Sequence, residues 1–361
     1  MTRYLLYLCF LVWPFGLLLS FKLSFLPQPL YLLDLLVGVL FLLTIFAQKS
    51  RHKIQKNPLY QPLTIFLLIL SLSLLINAPQ LTIHNLSLAL LYLARVFIYP
   101  VLYFVALSQK PQELLKIAFF SFSLFLTFGL FQYFFLPDLR FFKLLGFDDH
   151  YYRLTAGLLD PNFTGAIFAS LPFFFLFTKR YLPLFFSLVA LSLTFSRASY
   201  LSFFLSLLAY AFYFKKYKTL LLIALLTFAI YLAPKPFGEG VNLTRTFSIL
   251  SRLESWQTGL QLFAQKPLLG WGYNTLTDLN GKRISIDNSF IYLLATSGLL
   301  GFLSFLNLLR VAFKNTSPVN RLVILSLLLH SLFNNSFFFI WLMAMFWITL
   351  ALKPTEYKSL L

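Results

Sequence analysis

The sequence predicts an all-α fold for a polytopic integral membrane protein, on three observations. Of 361 residues, 59% are hydrophobic and only 11% charged, so one soluble core would lack the polar surface needed to cover it. Apolar runs of roughly 15 to 22 residues recur along the whole length, which suits helices crossing a hydrocarbon layer about 30 Å thick. The joints between these runs are mostly short, and their Lys and Arg residues alternate in a way that orients the chain.

Taken in order, the apolar runs place about twelve membrane helices, at about 4–20, 30–47, 59–76, 86–107, 115–136, 162–178, 181–195, 198–214, 219–233, 288–309, 320–333 and 336–352. The first run has no clear small-residue cleavage site and many equals after it, so it reads as a retained helix, not a signal peptide. With the N-terminus cytoplasmic, the joints "QKSRHKIQK", "SQKPQELLK", "TKR", "KKYK" and "FKNTSPVNR" and both termini fall on the cytoplasmic side. Among the short joints, only Lys22 and Arg197 then lie outside. The pairs 181–195 with 198–214 and 320–333 with 336–352 are short with tight turns, and suit either tilted spans or re-entrant hairpins buried in protein.

The chain reads as a single membrane domain, 1–361, with two long outer loops inside it, 137–161 and 234–287. The second loop holds six basic and four acidic residues together with Trp256 and Trp271, and loops of that length in a compact protein are usually functional or disordered. "SRLESWQTGLQLFAQ" within it has helical patterning, so an amphipathic helix lying over the membrane portion is expected.

The net charge of +18 does not point to nucleic acid, because the basic residues are spread joint by joint and form no single binding face. A single cysteine, Cys9, leaves no intramolecular disulfide or cysteine metal cluster. No transporter-type repeat and no low-complexity tract stand out.

Four outer arginines attract notice: Arg153, Arg197, Arg245 and Arg252. Guanidinium groups grip phosphate oxygens bidentately and keep their charge when partly desolvated, so several at a membrane surface suit a lipid-linked diphosphate. The alternative is headgroup contact or ion pairing within the loops. Arg197 stands between two short apolar helices, where a charge near hydrocarbon tends to mark a function or a specific partner. Arg95, deep in an apolar run, reads as a structural partner for Asp34.

Asp160, Pro161 and Asn162 open an apolar helix as an aspartate cap with proline at the first position, which does not exclude a substrate contact. "DDHYYR", residues 148–153, offers two carboxylates and a histidine, but adjacent side chains converge poorly on one ion, so no metal site is expected. No phosphate-cradling glycine loop, Ser-His-Asp order or zinc helix occurs. Asp287 and Asn288 start the helix that follows the large loop, where capping and the helix dipole favour them without any chemistry.

Taken together, "LLDPNFTG", "TFSRASYL", "SRLESWQTGLQLFAQKPLLGWGYNT" and "DNSFIYLLATSGLLG" resemble the O-antigen ligase and polymerase superfamily of bacterial inner membranes. The ligase hallmark is a histidine, then Asn, Ser or Gln, nine residues, Gly, two residues and Gly. Here Asn288, Gly298 and Gly301 keep that register, while Asp287 stands in the histidine's place.

The resemblance implies an enzyme that takes a glycan from undecaprenyl diphosphate and joins it to an acceptor hydroxyl, with inversion at the sugar carbon and without metal or other cofactor. It gives Arg197 and Arg252 the diphosphate role, with Arg245 a weaker candidate, and makes Asp287 the general base. Asn288, Asp160 and Asn162 would support the site. A carboxylate can take a hydroxyl proton as an imidazole can, given hydrogen-bond reach. If Asp287 only caps the helix, His84 or His330 would supply the base. Gly298 and Gly301 read as packing positions that let a neighbouring helix approach.

The implied partners are the lipid-linked glycan donor, a lipid A core or growing polysaccharide acceptor, and membrane lipids, with the active face periplasmic. The aspartate in place of histidine inclines the reading from ligase toward polymerase. Two other classes stay open: a lipid-linked-oligosaccharide flippase or transporter, and a non-catalytic assembly subunit. Transporters gather polar residues near the membrane midplane, whereas here they collect in one outer loop and at outer helix ends.

Overall fold

The computed structural model describes residues 1–24, 26–236, 238–278 and 281–353, and they form an almost entirely helical chain. In order the helices are α1 Thr2–Val12, α2 Leu32–Phe46, α3 Gln48–Gln55, α4 Tyr60–Asn77, α5 Ile83–Ile98, α6 Val101–Ala106, α7 Pro111–Phe135 and α8 Pro161–Phe177. Then come α9 Tyr181–Leu193, α10 Arg197–Tyr213, α11 Leu221–Leu232, α12 Phe247–Gln265, α13 Ser289–Lys314, α14 Pro318–His330 and α15 Ile340–Ala351. A two-stranded antiparallel ribbon, β1 Ser20–Phe21 with β2 Leu30–Tyr31, closes the turn between α1 and α2.

Among the described residues four helical stretches are long and apolar enough to cross a membrane: Tyr60–Gln80, Ile83–Ala106, Pro111–Phe135 and Ser289–Lys314. Shorter apolar helices account for most of the remaining runs. Each apolar run read from the sequence is helical, but three are interrupted. The first passes into a 3-10 turn, Trp13–Leu18, bent at Gly16. The run expected at about 86–107 breaks between α5 and α6 at Pro100, which has no amide hydrogen to donate. The third interruption, at Gly298 within α13, shapes the candidate site. The expected cytoplasmic C-terminus falls on 354–361, outside the described residues.

Inside the bundle α13 packs on α4, α14 on α8 and α10, and α8 on α9 and α10. Aromatic rings tie the 3-10 turn after α1 to α7 and α8: Trp13 lies 5.2 Å from Phe125, and Phe125 lies 5.2 Å from Phe168. The expected partnership of Arg95 and Asp34 is present and buried. Arg95 Nη2 reaches Asp34 Oδ2 at 2.7 Å, and the Tyr99 hydroxyl donates to Asp34 Oδ1 at 2.8 Å.

As the sequence suggested, the long segment before α13 carries a helix, α12, which packs on α13. The beginnings of α8, α10 and α13 and the end of α14 meet at the same end of the bundle. Ser196 donates to Asn162 Oδ1 at 3.2 Å, and Ser289 N donates to Ser331 O at 2.8 Å.

Candidate functional site

Asp160 stands where α8 begins. Its carboxylate accepts from the amides of Asn162 at 2.6 Å and Phe163 at 3.1 Å, satisfying two of the donors that a helix start leaves free. The chain that leads into it is locked in turn: Gln132 Oε1 accepts from the amides of Thr155 at 2.9 Å and Ala156 at 3.2 Å. Asn162 then joins α8 to α10 through Ser196. Burial raises the Asp160 carboxyl above the usual carboxylate range, against the pull of the two amides and of Arg153 and Arg252.

The arginines gather around this point, mostly bound to backbone oxygens. Arg197, the first residue of α10, donates through Nη1 to the carbonyls of Leu243 at 3.0 Å and Arg245 at 2.8 Å, and through Nη2 to Ser248 Oγ at 2.7 Å. Arg245 donates to the carbonyls of Gly240 and Asn242, each at 2.8 Å, and to Phe195 O at 3.1 Å. These two residues therefore fasten the stretch before α12 to the start of α10. Arg153 is buried and donates to Thr194 O at 2.9 Å; burial first, and then the charge of Arg245, bring its guanidinium down to about 9.

Arg252, on α12, reaches across to the segment after α14. Its Nε donates to Phe333 O at 2.8 Å and its Nη2 to Asn334 Oδ1 at 3.4 Å. Burial lowers its pKa, with Arg197 adding to the effect and Asp287 and Asp160 opposing it. Asn334 Nδ2 lies 3.4 Å from His330 Nε2, and His330 Nδ1 lies 2.7 Å from Ser336 Oγ. An amide nitrogen only donates, so Nε2 accepts and Nδ1 carries the hydrogen toward Ser336. His330 is fully buried within this chain of bonds.

Asn288 is the residue that caps α13, its Oδ1 accepting from the amides of Phe290 at 2.9 Å and Ile291 at 3.0 Å. Asp287 sits one position earlier and is held through its backbone. Its amide donates to Ser255 Oγ at 2.8 Å and its carbonyl accepts from Trp256 Nε1 at 3.0 Å, both from α12. Among the described residues the Asp287 carboxylate makes no hydrogen bond, and it is half-buried. Burial raises its pKa, the charge of Asp160 adds to the shift, and Arg252 opposes it.

Gly298 has a different place from the one its spacing suggests. It is not a contact point between two helices but the break in α13, with φ 64° and ψ −167°, a conformation close to glycine-only. A Cβ there would overlap the Leu268 carbonyl. The backbone groups freed by the break bond to the turn that follows α12. Trp271 N donates to Ala295 O at 3.0 Å, Gly272 N to Thr296 O at 2.9 Å, and Leu299 N to Pro267 O at 2.8 Å. Ser73 of α4 closes the joint, donating to Leu269 O at 2.5 Å and Thr296 O at 2.8 Å. Irregular backbone within a membrane bundle needs this kind of internal satisfaction.

The sequence-expected residues Asp160, Asn162, Arg197, Arg245, Arg252, Asp287 and Asn288 thus meet at one end of the bundle. His84 is elsewhere, exposed in the first turn of α5. Asn334, Ser255 and Trp256 were not singled out by sequence. The polar run "HSLFNNSF" between two apolar runs was a usable signal for Asn334, whereas the α12 contacts to Asp287 had none. Asp149 pairs with Lys143, and among the described residues no cluster of three His, Cys, Asp or Glu side chains forms that would hold a metal ion.

Residues 182–306, from α9 to the middle of α13, match the family model described as O-antigen ligase. No curated protein matches the chain. The matched stretch takes in Arg197, Arg245, Arg252, Asp287 and the glycine break. The chain is an integral membrane protein whose residues 182–306 are similar to the O-antigen ligase family.

Proposed function

We propose that the protein transfers a saccharide from undecaprenyl diphosphate to an acceptor hydroxyl, in the making of a bacterial surface polysaccharide. In this reading the chain crosses the inner membrane about twelve times, with both termini cytoplasmic and the Asp287 end periplasmic. Asp287 takes the proton of the acceptor hydroxyl as that oxygen attacks the sugar carbon, and the diphosphate leaves with inversion. No metal or other cofactor is assigned a part.

The observation that carries the proposal is the Asp287 carboxylate itself. It is half-buried, free of hydrogen bonds among the described residues, raised in pKa and electrostatically coupled to Arg252. A carboxylate with a raised pKa is a better base at neutral pH than one held low by partners. The leaving diphosphate gains charge as the glycosidic bond breaks, so a fixed guanidinium stabilises the transition state more than the ground state. Arg252 is assigned that part. Arg197 and Arg245 join it by exchanging carbonyl partners for phosphate oxygens; without donor they hold the α12 approach in place.

The acceptor is either a lipid A core or the growing polysaccharide, and the aspartate in the histidine's position favours polymerase over ligase. The grouping of charge at the starts of α8, α10 and α13 and on α12 supports surface chemistry over transport. The test is reconstitution of the purified protein with a polyprenyl-diphosphate oligosaccharide. Release of polyprenyl diphosphate with an inverted new linkage is expected; passage of the intact lipid across the bilayer without release would replace this reading by a flippase.

A further inference from the structure

Two cavities flank α3 at the end of the bundle away from Asp287. The directions of the helices establish the separation: α4 starts beside these cavities at Tyr60 and ends at Asn77, whose amide donates to Gly270 O in the turn docked on α13. The larger cavity, about 270 Å3, has apolar walls from Phe41, Ile45, Leu67, Phe97 and Phe104, with Arg51 of α3 as its charged lining residue. The smaller, about 210 Å3, is lined by Lys53, Asn57 and Gln109 among others. Ile54, Thr44 and Phe104 border both, so α3 lies across one groove divided beneath it.

Among the described residues the charges here are uncompensated. No Asp or Glu occurs between Asp34 and Glu113; Asp34 is taken by Arg95 and Glu113 by Arg3. Among the described residues Arg51, Lys53 and Lys56 therefore have no acidic partner. Beside the groove, Phe46 of α2 is 80% exposed and Leu68 of α4 is 61% exposed, an apolar surface continuous with the outside of the bundle. In an integral membrane protein that surface meets lipid. An apolar slot opening to lipid beneath a helix with unpaired cations matches a molecule with a hydrocarbon chain and a phosphate.

We propose that this groove binds an anionic glycerophospholipid, with one acyl chain in the cavity beneath α3 and the phosphate held by Arg51 and Lys53. The proposal rests on the membrane setting of the chain and not on its enzymatic reading. A free phosphate would leave the apolar walls empty, and a zwitterionic lipid would leave the cations without net compensation.

Native mass spectrometry of the full-length protein in detergent, with added phosphatidylglycerol or phosphatidylcholine of equal chain length, tests it. Wild type should retain phosphatidylglycerol about tenfold or more over phosphatidylcholine, and the double variant Arg51→Ala, Lys53→Ala should lose that preference. Leu67→Trp, which fills the cavity at constant charge, should weaken retention of both lipids. Arg140→Ala with Lys143→Ala, equally basic, exposed, and beyond the far end of α7, should change nothing. Should Leu67→Trp fail to fold, the charge variant decides alone. Equal retention of the two lipids, a preference that survives Arg51→Ala with Lys53→Ala, or a second copy of the chain seated on the groove and displaced by Leu67→Trp would overturn the proposal.

Discussion

Asn288 caps α13 through its side-chain oxygen, while its neighbour Asp287 is anchored by its backbone to Ser255 and Trp256. The division has a consequence for chemistry. A capping carboxylate gives its lone pairs to helix amides and has its pKa lowered by them. With the cap supplied by Asn288, the Asp287 carboxylate keeps its lone pairs and carries a pKa raised by burial.

Removing the cap and removing the acid should therefore have opposite effects on stability. Asn288→Ala should cost about 1 kcal/mol, read as a lower melting temperature. For Asp287, a carboxyl raised in the folded state binds its proton more tightly there than in the unfolded chain. Stability thus falls as pH rises from the ordinary carboxylate pKa through the raised one, and the ionised form is the less stable. Asp287→Asn should melt at the same temperature as wild type or higher at neutral pH, and a drop of several degrees would argue for a structural role.

Transfer activity should rise with pH through the raised Asp287 pKa, because only the ionised carboxylate accepts the hydroxyl proton. The acid limb should lie above the usual carboxylate range and shift with Arg252, which opposes the rise. In Arg252→Gln the limb should move to higher pH as the donor is held less tightly. A limb unmoved by that change would separate Asp287 from the rate.

Gly298→Ala should be severe although it adds one methyl group. The residue must keep a positive φ, costing about 1–3 kcal/mol, and the methyl would displace the Leu268 carbonyl. Expected outcomes are a lowered melting temperature and faster hydrogen exchange at 267–272 than in the rest of the segment between α11 and α13.

Breaking the buried pair on one side, by Arg95→Leu or Asp34→Leu, should cost about 3–5 kcal/mol, because the remaining charge is left buried and unpaired. Replacing both should recover most of the loss. Melting of the three variants in one detergent measures it.

Much of this was legible from the chain. The helices follow from the length and apolarity of the runs, and Arg95 with Asp34 from the need of any buried charge for a partner. The gathering of Asp160, Arg197, Arg252 and Asp287 was legible only through the resemblance, since these residues lie on four different elements. The break at Gly298 was not legible. "ATSGLLG" reads as continuous helix, and what opens it is the turn at 267–272, whose docking depends on the path of α12. For the same reason the carbonyl partners of Arg197 and Arg245 were out of reach, because they belong to loop backbone with no periodic pattern.

The central assignment is tested most directly by the release of polyprenyl diphosphate from a lipid-linked oligosaccharide, with acceptor, by wild type and by Asp287→Asn in parallel. Wild type should release it, and Asp287→Asn should fall by about 100-fold or more with folding intact. Release by Asp287→Asn at the wild-type rate would contradict the assignment.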